Sequence, residues 1–329
     1  MTSAKLIVLL TGLGAAFITP SRAEEAAETP KPVARVAAWN VACGRNDKGG
    51  TPIPADRIQR IGKAIAEHIK PDVLVLEEVW PAEAAADIAK ASTDAGFELK
   101  AVEVPPDFDT VVQRVSILAR PGVEVSDVSL IEGTQDIVEG TSKEEQSTRR
   151  AVLAKVKIGK FDGYVIGVHL KSKREYEGET TLPIDMRDRQ CAVIADKIKE
   201  LTAGSEKDVL LLGDFNMTPA VAAAADEPAD QKNFDTLNRD KNLVFISDEQ
   251  PGYSHIGHKK GGALWLSRLD GFAISTGATK EYVPKSFELI PTSEFGLEPK
   301  DYADSRKKDV YISDHLPILA QFNTAEDDD

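Results

Sequence analysis

Cysteine, histidine and aromatic residues are all scarce in this 329-residue sequence, which holds two Cys, five His and 6% aromatics. Two cysteines cannot build a disulfide-dense scaffold, and without CxxC-type spacings a zinc centre is disfavoured. A GxSxG elbow and a GxxxxGK[ST] phosphate loop are also missing, so neither a serine-nucleophile hydrolase nor a P-loop enzyme is supported. Beyond the N-terminus nothing approaches the roughly 20 consecutive apolar residues of a spanning helix. Positive charge is in the minority, and the formal net charge of -14 works against undirected binding to polyanions. An anionic substrate held at a metal remains compatible with that field. No Gly/Ser-rich linker or internal repeat divides the chain, which points to one large domain.

The N-terminus differs in kind. Lys5, an apolar run from Leu6 to Ile18 and then small Ser21 and Ala23 read as a secretory signal peptide over residues 1–23. An exported protein, periplasmic or secreted, without stable membrane insertion, is the expectation. A charged tail is expected over 24–32, a single domain over 33–323 and an acidic tail over 324–329.

Short apolar, β-branched runs predict strands near 33–41, 72–79, 115–120, 151–158, 164–170, 208–215, 269–275 and 316–322. Ile58, Ile61, Ile65 and Ile69 recur at helical spacing before Pro71, as do Val193, Ile194 and Ile198 in "DMRDRQCAVIADKIKELT". Each of these helices leads into a strand, while other strands follow one another directly. That mixture predicts an α/β (α+β) fold with a sheet-on-sheet core rather than a simple alternating doubly wound sheet.

Polar residues interrupt the strand ends: Asn40, Glu77 and Glu78, His169, Asp214 and Asn216, Asp270, then Ser313, Asp314 and His315. Taken singly, each has a structural explanation as a turn or cap residue. Together they form an oxygen-rich donor set, which suits a hard cation such as Mg²⁺, Mn²⁺ or Ca²⁺. In "VLLLGDFN", strand alternation sends Asp214 and Asn216 to one side and Phe215 to the other.

The ordered segments "WNV", "LEEVW", "VHLKS", "GDFNMTP", "LDGFAIS" and "SDHLPI" resemble the motifs of the endonuclease/exonuclease/phosphatase superfamily, from about residue 35 to 323. This group includes pancreatic-type deoxyribonucleases, neutral sphingomyelinases and inositol-phosphate 5-phosphatases. The resemblance implies a four-layer sandwich, two packed mixed β-sheets flanked by helices. It implies Glu78 and Asp314 as ligands of a divalent metal with Asn40 close to metal and phosphate. Asp214 and Asn216 would orient the attacking water and hold a phosphate oxygen, His315 would pair with Asp270, and His169 would contact the phosphate or leaving group. Either Asp214 or the His315/Asp270 pair would take the water's proton.

The chain departs from the family pattern in two places. Glu77 stands where the family usually has Gln, and alternation along a strand would let only one of Glu77 and Glu78 reach a metal. Gln113 and Arg114 stand where pancreatic-type deoxyribonucleases carry a Glu that supports the first histidine, which favours His169 as a hydrogen-bond donor over an acid or base.

Basic residues cluster at Arg149 and Arg150, at Lys171, Lys173 and Arg174, and at Arg187 and Arg189. Arg150 and Lys171 are the phosphate-binding candidates among them. His255 and His258 fall in a glycine-rich stretch read as a surface loop. Cys43 and Cys191 are expected either as one disulfide bracing the site's rim or as two buried thiols. The expected function is an exported, divalent-metal-dependent phosphodiesterase acting on a phosphodiester substrate, nucleic acid first. The alternatives are a lipid or inositol phosphoesterase and a non-catalytic binding module on the same fold.

Overall fold

Twelve of the strands assemble into two six-stranded mixed sheets. Sheet I runs, in order, Glu288–Leu289 (β15), Ile318–Asn323 (β16), Val33–Asn40 (β1), Val73–Val79 (β4), Arg114–Ala119 (β6) and Lys100–Ala101 (β5). Sheet II runs Leu243–Phe245 (β11), Asp270–Ser275 (β14), Val209–Asp214 (β10), Phe161–His169 (β9), Val152–Ile158 (β8) and Glu124–Leu130 (β7). Two small hairpins pair His255–His258 (β12) with Leu264–Ser267 (β13) and Arg45–Asn46 (β2) with Gly49–Gly50 (β3). The computed structural model describes residues 32–43, 45–46, 49–106, 113–135, 150–175, 182–204, 207–223, 229–258, 263–302, 304, 307 and 309–325. The expected signal segment and most of both expected tails lie outside these. Residues Lys31–Asp329 form one compact unit.

Burial follows from strand periodicity. In β10 every residue is buried, yet its two faces serve different layers. Leu210 and Leu212 meet Val36, Val75, Val115 and Phe272 between the sheets. Val209 and Leu211 face the opposite way, against Cys191, Ile194 and Ile198 of the helix Pro183–Leu201 (α3) and Leu237 of Gln231–Leu237 (α4). A strand covered on both faces reads as an unbroken apolar run, which explains "VLLL". Sheet I is covered on its outer face by Ala55–Ala64 (α1) and Ala84–Asp94 (α2). The result is the expected four-layer sandwich of helices, sheet, sheet and helices.

The four predicted isoleucines, Ile58, Ile61, Ile65 and Ile69, are all buried. The last two lie in a π-helical turn, Ile65–Ile69, which Lys70 ends in a left-handed conformation before Pro71. Gly62 is needed where α1 crosses α2, because a Cβ there would lie 2.5 Å from that of Ala91. The strands β1 and β4 are parallel and joined through α1; β9 and β10 are parallel and joined through α3. Helical crossovers of this kind are what parallel neighbours require. They also bring the ends of all four strands to one edge of the sandwich, where the registers set Asn40 beside Glu77 and Asp214 between His169 and Asp270.

Candidate active site

Gly213 makes the site possible. With φ +132°, it occupies a backbone conformation that L side chains rarely adopt, and a Cβ there would lie 2.2 Å from the Val168 carbonyl oxygen. The chain then turns so that Asp214 enters the cleft, Phe215 packs into the helix-side core and Asn216 adopts φ +50°.

Asp214 is 2% exposed and surrounded by donors. Its Oδ1 accepts the Asn216 N–H at 2.8 Å, and its Oδ2 accepts from Asn40 Nδ2 at 3.1 Å and lies 3.3 Å from His169 Nε2. Asn216 donates its side-chain amide to the Leu170 carbonyl at 3.1 Å, which ties the end of β10 to the end of β9. His315 completes the group. Its Nδ1 lies 2.9 Å from Asp270 Oδ2, and its Nε2 lies 3.9 Å from Asp214 Oδ2. Burial alone would lower the imidazole's pKa, but the carboxylates of Asp270 and Asp214 outweigh it and hold it well above the usual histidine range. The charged form of the imidazole is therefore favoured, with Nδ1 on Asp270 and Nε2 facing Asp214 beyond hydrogen-bond distance.

The loop that carries His315 is fixed by its backbone. The Ser313 hydroxyl donates to the Asn40 carbonyl at 2.6 Å and accepts the His315 N–H at 3.1 Å. Trp39 Nε1 and the Tyr302 hydroxyl both donate to the His315 carbonyl, at 3.0 and 2.8 Å. Ser254 does the same for Asp270, accepting the N–H groups of Leu269 and Asp270 at 3.0 and 2.9 Å. Ser313 and Trp39 lie within the motif segments "SDHLPI" and "WNV", whereas Tyr302 and Ser254 did not stand out in the sequence, since a hydroxyl that bonds backbone leaves no motif.

Glu78 reaches the cleft by an irregularity. The pairing of β4 with β6 shifts between Leu76 and Val79, and Glu78 takes φ +56°. Simple alternation is broken there, so Glu77 and Glu78 both point toward the site end. Glu78 Oε1 lies 3.8 Å from His169 Nε2. Glu77 is fully buried beneath Asp214, and neither of its carboxyl oxygens has a hydrogen-bond partner among the described residues. Burial, reinforced by Asp270 and Asp214, raises its pKa well above the ordinary value and favours the neutral carboxyl.

The two acids expected to hold a divalent cation, Glu78 and Asp314, are the more exposed carboxylates of the cleft. Asp314 is 40% exposed and lies 4.0 Å from His255 Nε2. Burial raises the pKa of Tyr311, and the carboxylates of Asp314 and Glu78 both push it further in the same direction. Those two acids therefore converge on one locality. The Asn40 amide oxygen accepts the Ala42 N–H at 3.0 Å and keeps a second lone pair, and with Glu78 and Asp314 it would supply the hard-oxygen ligands that suit such a cation. Asp214, Asp270 and His315 also offer atoms within 4.8 Å of one another and form a second grouping that could hold a cation.

Three expectations change. Cys43 and Cys191 form no disulfide; Cys43 packs on the outer face of sheet I and Cys191 in the core beneath α3. Lys171 is buried with its Nζ on the Arg174 carbonyl at 3.1 Å, while Lys173 and Arg187 hold Asp230, each at 3.0 Å. This basic cluster is an internal network rather than a phosphate-facing rim, and Arg150 pairs with Glu132 away from the Asp214 centre. His255 belongs to the hairpin rather than a loose surface loop. Its ring lies 4.8 Å from that of His315 and its Nδ1 3.0 Å from Ser267 Oγ.

The sequence profile of the Endonuclease/Exonuclease/phosphatase family matches residues 37–270. Among solved structures, D. rerio TDP2 complexed with single strand DNA product is 19% identical over 89% of this chain and 99% of its own, with a TM-score of 0.59. The human Nocturnin catalytic domain with bound sulfate is 16% identical over 89% and 95%, with a TM-score of 0.53. An endonuclease/exonuclease/phosphatase family protein from Bacteroides thetaiotaomicron is 15% identical over 89% and 98%, with a TM-score of 0.59. No curated protein sequence gives a significant match. The profile match, together with strand ends that gather the motif residues into one cleft, establishes that this chain belongs to the endonuclease/exonuclease/phosphatase family.

Proposed function

We propose that the chain is an exported, divalent-metal-dependent phosphodiesterase, nuclease-like in its choice of substrate. The observation that carries this reading is the His315–Asp270 pair, aimed at an Asp214 that Asn40, Asn216 and His169 hold in place. An imidazolium with Nε2 in the cleft is suited to donate to a phosphoryl oxygen or leaving group. Asp214 accepts hydrogen bonds on both oxygens and is the group placed to orient an attacking water and take its proton. His169, beside both Asp214 and Glu78, donates to the phosphate from the other side. Glu78, Asp314 and Asn40 would hold the cation, whose contribution is to neutralise charge on the phosphoryl oxygens.

Nucleic acid is favoured because D. rerio TDP2, which shares the fold, was solved with a DNA product. Export rests on residues 1–23, and cleavage after Ala23 would leave Glu24 at the mature N-terminus, which N-terminal sequencing of the released protein would detect. No helix among the described residues is long and apolar enough to cross a membrane.

The test is to incubate the mature chain with plasmid DNA, single-stranded RNA, sphingomyelin and bis(4-nitrophenyl) phosphate in Mg²⁺ or EDTA, alongside His315→Ala. Mg²⁺-dependent cleavage of a nucleic acid that the variant loses is expected. Turnover that survives EDTA or His315→Ala would overturn the mechanism. Turnover confined to sphingomyelin would overturn the substrate.

A further inference from the structure

A cavity of about 490 Å³ lies behind the loops that carry the reacting groups. Leu316 lines it and directly follows His315, yet the two side chains diverge: Leu316 packs in the core outside sheet I, while His315 points at Asp270. Tyr253 lines it as well and precedes Ser254, whose carbonyl accepts the Leu316 N–H at 2.7 Å and whose hydroxyl holds the N–H groups of Leu269 and Asp270. The cavity therefore backs onto the two segments that fix the His315–Asp270 pair, and no residue placed in the cleft lines it.

Its walls are largely apolar and its fixed charge is negative. Pro251, Tyr253, Leu289, Ile290, Pro291 and Leu316 supply the apolar surface, and the two prolines restrict the backbone on which it is built. At Gly252 φ is +143°, and a Cβ there would lie 3.2 Å from Leu289 Cδ1, so the glycine leaves room between two segments of wall. The Gln250 side-chain oxygen accepts the Leu289 N–H at 2.9 Å, which closes that point of the β15 edge to a further strand. The carboxylates that line the cavity are Glu288 and Glu294, both exposed, with His68 Nδ1 3.5 Å from Glu294 Oε2. Neither Lys nor Arg is among the lining residues.

From this combination we infer that the cavity is a binding site for a small organic cation, an amidinium, guanidinium or amine carried on an apolar body. Its volume and its apolar lining with a few polar groups are those of small-ligand sites in general. The carboxylates would take the charged head by charge-assisted hydrogen bonds, while Tyr253, Leu289 and Leu316 receive the body. The inference goes beyond the phosphodiesterase reading and stands independently of it.

The experiment titrates the mature chain in EDTA with benzamidine, benzamide and benzoate, three probes of nearly one shape that are cationic, neutral and anionic at pH 7. Binding is followed by the backbone amide NMR signals of Gly252, Leu289 and Leu316. Benzamidine should shift them saturably, with a Kd on the order of 1 mM, ordinary for a ligand of this size. Benzamide should bind about tenfold more weakly, the loss of one charge-assisted contact, and benzoate should leave the signals unmoved. Glu288→Gln and Glu294→Gln should each weaken benzamidine about fivefold and leave benzamide unchanged. Both carboxylates are exposed, so the variants should keep the fold, which melting curves check. Equal affinity for benzamidine and benzamide would overturn the inference, as would undiminished benzamidine binding to the folded Glu288→Gln/Glu294→Gln double variant. Binding lost in Glu78→Gln but kept in that double variant would place the cation in the catalytic cleft and overturn it as well.

Discussion

The Nδ1 nitrogen of His315 lies 2.9 Å from Oδ2 of Asp270, in a region where both side chains are nearly inaccessible to water. Desolvation disfavours a charged imidazole, so the imidazolium persists only because carboxylates surround it. Asp270→Asn removes the nearest of these. The His315 pKa should fall, as followed by NMR titration of the imidazole. The kcat on bis(4-nitrophenyl) phosphate should drop about 10²–10⁴-fold, the range of a positioned acid or base. An Asp270→Asn protein with activity within threefold of wild type would show that the pair has no chemical role.

Glu77 presents the opposite case, a carboxyl with no hydrogen-bond partner among the described residues. Its folded-state pKa is raised above the ordinary value of 4.5, chiefly by burial. The folded state therefore holds a proton that the unfolded chain releases above about pH 4.5, so stability falls as pH rises through that value toward the folded pKa. Glu77→Gln keeps the shape and cannot ionise. In EDTA at pH 7 the variant should be more stable than wild type by about 1 kcal/mol or more, by urea denaturation. At pH 4 and below the difference should vanish. A gain that persists unchanged at low pH would mean that ionisation is not its source.

Much of this site was legible in the sequence because strand ends are marked by abrupt polarity. Asp214, Asn216, Asp270 and His315 each follow or precede an apolar run, and the runs fix where the strands stop. Glu78 was legible only through the motif frame, because a bulge at the end of β4 overrides the alternation from which a side chain's direction is read. Helix α2 passed unnoticed since its buried face is largely alanine, which gives little hydrophobic periodicity. The hairpin of β12 and β13 was hidden by its glycines, and with it the place of His255 beside His315. Lys171 misled because charge density says nothing of direction: its ammonium satisfies a backbone carbonyl inside the protein.

The two cysteines permit a simple check on layer assignment. Burial pushes the Cys191 thiol up to about 12, and its Sγ lies 3.8 Å from the Met217 sulfur. A thiol so placed carries almost no thiolate at pH 8, and thiolate is the reactive form. Cys191 should resist Ellman's reagent in the native protein, and two thiols should react after denaturation without reductant. Zero thiols in the denatured, unreduced chain would mean that a disulfide forms after all.

Metal binding separates the two acidic groupings in the cleft. A cation that binds only the folded state raises stability in proportion to the logarithm of its concentration over Kd, about 2.7 kcal/mol at a hundredfold excess. If Glu78 and Asp314 hold it, millimolar Mg²⁺ should raise the melting temperature of the wild-type protein by several degrees. Glu78→Gln and Asp314→Asn should abolish most of that rise. Without metal neither variant should be less stable than wild type, because each removes one carboxylate from a cleft crowded with acids. Asp270→Asn should keep the rise, since Asp270 is engaged by His315 Nδ1 and is not among the residues that would hold the cation. The reverse pattern, a rise lost in Asp270→Asn and kept in Glu78→Gln, would move the cation to the Asp214, Asp270 and His315 group and remove His315 as a proton donor.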